Sequence, residues 1–389
     1  MKVLIVHVPY EHRGGEEVHV DALALGYQKI GVTPLLFPTD RNPPTALLGK
    51  SIDSLKQSDD SPEIAAFWND QKPVYIHLHN AFPTLGPRFF RWAIRHRVPI
   101  AMTVHNHRFF CTNGLALRDK RICKDCFSSK VAWRSMIYNC NGDLKKTIYH
   151  SLALTQMRTQ DLHARAITRF VAPSPYLQGE LVRVGMPREK VLHILNPVVW
   201  TEAEMACDAG AGNAGAEKYG AIYAGRLSQE KGIQELLVTV GLMPEVKFVI
   251  AGDGPERPAV EAAAAKLANL DFVGPVTHER VLELIDDSRV AVLPSICNET
   301  LSTFALESFF QGKRCVIPAL DSTSWLASGD FPGHLAKPGN PYSLAKAIGI
   351  ALSSPRISLE QKLALRSKLS FERFCSDLKG LVQEMAVVR

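Results

Sequence analysis

Two glutamates stand eight residues apart in PSICNETLSTFALESFFQG, residues 294–312: Glu299 before an apolar-periodic segment and Glu307 within it. The short run Val290 to Leu293 ahead of them reads as a buried strand, and Phe304, Ala305, Leu306, Phe309 and Phe310 recur at helical spacing. Strand, loop and helix are therefore expected in that order. Thr300 or Ser302 can cap the helix, which turns the unbonded amides around Thr300, Leu301 and Ser302 toward the carboxyl end of the strand. Such amides attract an anionic or hydroxyl-rich ligand, and the two carboxylates would grip a polyhydroxylated one at two points. Taken alone, the same spacing also describes a loop carboxylate and a solvated helix residue.

Groups of complementary chemistry follow other apolar runs. After Gly220 to Tyr223 comes AGRLSQEKG, where Arg226 offers a planar fork and Lys231 a point charge for phosphate oxygens. After Val246 to Ala251 comes AGDGPE, where Gly252 and Gly254 permit a tight turn beside a ligand. Near the amino terminus, YEHRGGEE places Gly14 and Gly15 ahead of a helical pattern, so that backbone can approach a ligand at a helix N-terminus. It is not a G-x-G-x-x-G fingerprint. His105, in TVHNH, ends a strand and so faces the crevice where open α/β sheets bind ligands, although a lone histidine can equally be packed or solvated.

Cys111, Cys123, Cys126 and Cys140 form a separate group. The C-x2-C pair of CKDC matches the knuckle of structural zinc sites, and the outer two complete a tetrahedron of thiolates. Their outer spacing fits no zinc-ribbon template, which leaves scattered reduced thiols and a redox pair as alternatives. A metal here would hold an insertion, about residues 107–146, that lacks its own core.

The elements that must position these groups read as two α/β domains. Strands are expected at Lys2–Pro9, Thr33–Phe37, Val74–Leu78, Ile100–Val104 and Phe170–Ala172, with a last one before Asn196. The second half repeats the pattern at Gly220–Tyr223, Val246–Ala251, Leu270–Val273, Val290–Leu293 and Arg314–Ile317. Helical segments alternate with them, the signature of doubly wound parallel sheets. We place a first domain over residues 1–199, a linker over 200–218 and a second domain over 219–370, ahead of a last helix over 371–389. The 389 residues exceed what one core usually holds. With 46% hydrophobic and 22% charged residues, the composition excludes a disordered chain.

No apolar run reaches the roughly 18 residues of a membrane-crossing helix, and MKVLIVHV is too short for a signal core. A cytosolic protein is expected. Residues 1–200 carry 26 Lys/Arg against 16 Asp/Glu, and Arg88 to Lys146 alone hold 13 against 3. The basic excess is thus one segment, suited to phosphate groups on a ligand, a lipid surface or nucleic acid.

Taken together and in order, the GGEE loop, VHN, NPV, YAGRLSQEKG, AGDGPE and E-x7-E resemble retaining glycosyltransferases of the two-Rossmann-domain GT-B type, in their large fourth sequence family. The resemblance spans essentially the whole chain and implies two domains facing across a cleft. It implies that Arg226 and Lys231 hold the diphosphate of a nucleotide-sugar donor and that Glu307 holds the ribose. Glu299 and the amides of residues 300–302 would hold the transferred sugar, while Gly14, Gly15 and His105 line the facing wall. The last helix would return to the first domain. Ser302 stands where the family often has glycine, which implies a tighter sugar pocket, and the Cys-rich insertion occurs in only part of the family.

Catalysis without a cofactor is expected, since the chain has no Asp-x-Asp motif and Arg226, Lys231 and helix amides can take up leaving-group charge. His105 and Glu299 join Arg226 and Lys231 as catalytic candidates, with Glu299 positioning rather than attacking. The expected partners are the donor, a glycan or lipid-linked acceptor, and an anionic membrane surface, with no nucleic acid. Two alternatives remain: a nucleotide-sugar epimerase or hydrolase on the same scaffold, and a nucleic-acid-binding protein with a zinc module.

Overall fold

The computed structural model describes residues 1–8, 14–38, 55, 62–80, 85–200 and 217–387. Most of the expected linker, and residues 10–13 of the YEHRGGEE loop, lie outside them. The chain divides into two units, one of Met1–Arg118, Cys123–Pro197 and Phe371–Arg389, the other of Asp119–Ile122 and Val198–Ser370.

The first unit is built on six parallel strands: β1 (Lys2–Val6), β2 (Thr33–Phe37), β3 (Ile76–Leu78), β4 (Ile100–Thr103), β7 (Arg169–Ala172) and β8 (Val191–His193). Between β4 and β7 lie the short strands β5 (Leu117–Arg118) and β6 (Arg121–Ile122), which pair with each other. The order β2-β1-β3-β4-β7-β8 reverses direction between β1 and β3. β1 is apolar on both faces because both are covered: Leu4 and Val6 enter one core cluster, Val3 and Ile5 another. The second cluster includes Phe374, Leu378, Leu381 and Met385 of the last helix, Phe371–Val387. That helix lies so close to Gly15–Lys29 that a Cβ on Gly26 would sit 3.1 Å from Leu378 Cδ2. The carboxyl-terminal helix is thereby part of the first unit's core.

The second unit's sheet is also parallel, with β9 (Tyr219–Ala224), β10 (Phe248–Ala251), β11 (Leu270–Gly274), β12 (Ser288–Val292), β13 (Arg314–Pro318) and β14 (Gly333–Ala336). Its order, β11-β10-β9-β12-β13-β14, is that of a dinucleotide-binding fold and reverses between β9 and β12. β14 and the β5–β6 pair were not expected. GHLA and the two-residue strands are too short to carry a period of their own.

Candidate functional site

Open α/β sheets bind ligands outside the carboxyl ends of the strands where the order reverses. In the second unit that point lies between β9 and β12, whose following loops carry Arg226 and Lys231 on one side and Glu299 on the other. The loops are fastened together. Ile296 N donates to Glu230 O at 3.0 Å, and Gly232, at φ 71°, has Pro294 O where a Cβ would be, 2.0 Å away. Only glycine fits there.

Lys231 Nζ lies 2.9 Å from Glu299 Oε1, which Ser295 Oγ also contacts. Burial works against the Lys231 ammonium, yet the Glu299 carboxylate and other nearby anionic groups hold its pKa above the ordinary value. An ammonium has three donors, so this pairing leaves capacity for phosphate oxygens. Arg226 is exposed, and its guanidinium has no partner among the described residues. Tyr223 Oη donates to Arg226 O at 2.7 Å and sets the path of its loop.

Glu299 precedes the helix Thr303–Phe310, whose N-cap is Ser302, its Oγ accepting from Ala305 N at 3.3 Å. Of the two capping candidates it is Ser302 that caps. Glu307 is not a solvated helix residue. Its side chain is 13% exposed, and Oε1 lies 3.0 Å from His278 Nε2. Cys297, buried beside Glu299, has its thiol pushed up to about 12, first by burial and then by that carboxylate.

Gly252 and Gly254 have φ of 139° and 151°, and the space a Cβ would fill is taken by Gly225 O at 1.9 Å and Leu227 O at 2.4 Å. These glycines accommodate the neighbouring Arg226 loop, which Leu227 N to Asp253 O and Glu256 N to Leu227 O, both 2.8 Å, stitch in place.

In the first unit, Gly14 is the N-cap of the helix Gly15–Lys29 with extended backbone, and its N–H is taken by Glu17 Oε2 at 2.8 Å. Carboxylates of the chain itself, Glu16 and Glu17, occupy this N-terminus, and His7 Nε2 lies 3.3 Å from Glu16 Oε1. His105 follows β4, and its Nε2 is 2.8 Å from Nδ1 of His79, which follows β3 at the reversal. The rings are 18° from parallel with centroids 5.1 Å apart. That separation is about the nitrogen distance plus two ring radii, so the rings lie nearly coplanar and joined head to head. Burial, then the neighbouring histidines, lower the pKa of both far below the usual value, so both are neutral at pH 7. One nitrogen therefore donates and the other accepts.

Nitrogens of His19, His79 and His105 fall within 4.8 Å of one another. The facing nitrogens of His79 and His105 are directed at each other rather than at a common centre, so the pair is a hydrogen bond and not a chelate. Sequence reasoning selected His105 and missed His79 and His278. The signal for His79 was available, as LHN ends a strand just as VHN does.

Two parallel α/β units, the second in dinucleotide-binding order with a basic and an acidic loop at its reversal, make up a GT-B fold. Solved structures share the fold. Sucrose-phosphate synthase from Thermosynechococcus elongatus aligns over 100% of both chains with a TM-score of 0.69 at 14% identity. Anabaena HepE, solved with UDP and glucose, aligns over 98% of this chain and 99% of its own with a TM-score of 0.65 at 15% identity. Residues 218–354 match the family described as glycosyl transferases group 1.

Among curated relatives, a 2-deoxystreptamine glucosyltransferase of Streptomyces kanamyceticus is 26% identical over 39% of this chain and 40% of its own. A GDP-mannose-dependent alpha-(1-6)-phosphatidylinositol dimannoside mannosyltransferase of Mycobacterium tuberculosis is 27% identical over 43% and 44%. The chain spans less than half the length of the curated relatives it matches.

Proposed function

We propose that this protein is a retaining glycosyltransferase that moves a sugar from a nucleotide-diphosphate sugar to a hydroxyl of a glycan or lipid-linked acceptor in surface polysaccharide or glycoconjugate synthesis. One observation carries the reading: at the reversal of the second sheet, Arg226 stands without a partner among the described residues beside the Lys231–Glu299 pair. Breaking the sugar–phosphate bond leaves positive charge on the anomeric carbon and negative charge on the departing diphosphate. Arg226 and Lys231 stabilise the latter, Glu299 lies where the former develops, and Glu307 holds the ribose hydroxyls. No divalent cation is needed for that charge balance. The departing phosphate takes the acceptor proton, and Glu299 positions the sugar without attacking it.

The acceptor part of the reading rests on the first unit. The helix Leu144–Thr159 leaves Leu144, Ile148 and Leu152 between 40 and 57% exposed along one face, next to exposed Lys145 and Lys146. Exposed Trp133, Ile137, Lys130 and Arg134 lie in the same basic segment. Apolar residues rimmed by cations suit an anionic membrane surface. Among the described residues no helix is long and apolar enough to cross a membrane.

The test is a thermal-shift screen with UDP, GDP and ADP sugars, since a ligand bound only by the native state raises its apparent stability. One nucleotide series should stabilise the protein, and the stabilising donor with a hydroxyl acceptor should give a product of unchanged anomeric configuration. Stabilisation by no nucleotide, or conversion of donor to free sugar or epimer with every acceptor tried, would overturn it.

A further inference from the structure

The insertion between β4 and β7 holds four cysteines that sugar transfer does not use. Phe109, Phe110, Cys111, Ala116 and Phe127 anchor it to the first unit's core. Beyond them it has little apolar support, with Val131, Trp133, Ile137 and Tyr138 between 44 and 65% exposed. Its backbone is nevertheless sharply bent. Four of the seven described non-glycine residues with left-handed backbone fall here: Ala116, Asp119, Lys120 and Asn139. Side chains of L-residues disfavour that region, so something other than an apolar core must hold these turns.

The four thiols are placed to do so. Cys111 and Cys126 are buried, Cys123 and Cys140 half-buried, and all are free. They ring one small cavity together with Arg118, Asp125 and Arg134. Phe127 N donates to Lys124 O at 3.0 Å and closes the turn that presents Cys123 and Cys126 from one knuckle. The Arg158 guanidinium donates to the carbonyls of Phe109, Phe110, Cys126 and Ser129, and so ties the Cys111 backbone to the Cys126 backbone. Arg118, 2.9 Å from Asp125 and over the Tyr138 ring at 3.9 Å, puts positive charge at the cavity wall.

We infer that Cys111, Cys123, Cys126 and Cys140 form a structural site for one zinc ion, which fixes the insertion's fold and takes no part in sugar transfer. Four cysteines with a C-x2-C knuckle satisfy the ion's preference for tetrahedral sulfur. Arg118 and Arg134, which share the single carboxylate of Asp125 at the cavity, offset part of the net charge of −2 that a divalent ion with four thiolates carries. No three of the sulfurs are within 4.8 Å of one another. The site therefore closes by side-chain rotation on metal entry, with Cys111 Sγ leaving Asn113 Oδ1, now 3.0 Å away. Each sulfur binds the ion as thiolate, and any proton it carried passes to solvent.

The test uses the purified full-length chain. Elemental analysis should find about one zinc per chain, and the metal-free protein titrated with cobalt(II) should show thiolate-to-metal charge-transfer absorption saturating near one equivalent. The Cys123→Ser/Cys126→Ser protein should lose the absorption, and His19→Leu should retain it. Zinc that survives in the cysteine variant but leaves in His19→Leu would assign the metal to the histidine cluster and overturn the proposal. Absence of the charge-transfer band in the wild-type chain would do so without reference to any variant.

Discussion

Arg226 and Lys231 reach the same loop by different routes, and the difference sets what their removal should do. Arg226 is exposed and its head group is unpartnered among the described residues, so Arg226→Ala removes a cation and little else. Lys231 is bound to Glu299 at 2.9 Å, so Lys231→Ala also frees a carboxylate that is 9% exposed. Each loss should remove roughly 2.7 to 4 kcal/mol of transition-state stabilisation, the cost of deleting one oxyanion donor. Turnover should fall on the order of a hundredfold or more, without rescue by magnesium. Lys231→Ala should in addition lower the melting temperature, which Arg226→Ala should not. Glu307→Ala should raise KM for the donor and spare kcat, because ribose contacts change little as the bond breaks. Wild-type activity abolished within minutes by EDTA and restored by magnesium would defeat this assignment, as brief chelation leaves a buried structural ion in place.

At the level of elements, the strands were legible because their residues are apolar on both faces, and the helices because their caps and spacing are ordinary. The partners of individual groups were not. AGDGPE reads as a turn beside a ligand, but the sequence does not show that the carbonyls Gly252 and Gly254 accommodate belong to a loop 27 residues earlier, which only the tertiary fold brings close. GGEE reads as a bare helix N-terminus, yet Glu17 turns back onto the Gly14 amide. E-x7-E was legible as a pair, but Lys231 and His278 as its partners come from other strands' loops.

The helix Leu144–Thr159 carries a prediction of its own. If its exposed Leu144, Ile148 and Leu152 meet membrane, liposome sedimentation should show binding that rises with anionic lipid and falls with salt. Lys145→Gln/Lys146→Gln should lose about 2 kcal/mol, at about 1 per cation near an anionic surface, or roughly thirtyfold in partitioning. Equal binding to neutral and anionic vesicles would count against it.

Over the whole molecule, the two units differ in what they bury. Eleven of the thirteen histidines lie before Met205, and several are sealed in the first unit. Burial lowers His19, His107 and His150 to about 4, and His77 and His163 to about 3. His79 and His105 lie well below the usual value for the same reason, and Tyr27 and Thr103 bind the ring of His77 at 2.6 and 2.8 Å. In the unfolded chain each titrates near 6.5. Below that pH the unfolded state binds protons the folded unit refuses, so stability is full above about 6.5 and falls as the pH drops toward the folded values. Each such histidine contributes a slope of up to about 1.4 kcal/mol per pH unit.

The second unit holds only His278, which is exposed, and His334, which is half-buried. Acid should therefore unfold the first unit before the second. Hydrogen exchange followed by mass spectrometry at pH 7 and pH 5 should show protection lost across β1, β3 and β4 while β9, β10 and β12 keep theirs. His19→Leu removes one titrating group and one buried ring whose two nitrogens find no partner among the described residues. It should flatten the pH dependence by about one proton and leave stability at pH 7 equal or higher. To separate this from acid release of a thiolate-bound ion, the comparison is repeated in the Cys123→Ser/Cys126→Ser protein, where the His19→Leu difference should persist. Equal loss of protection in both units at pH 5 would defeat the prediction.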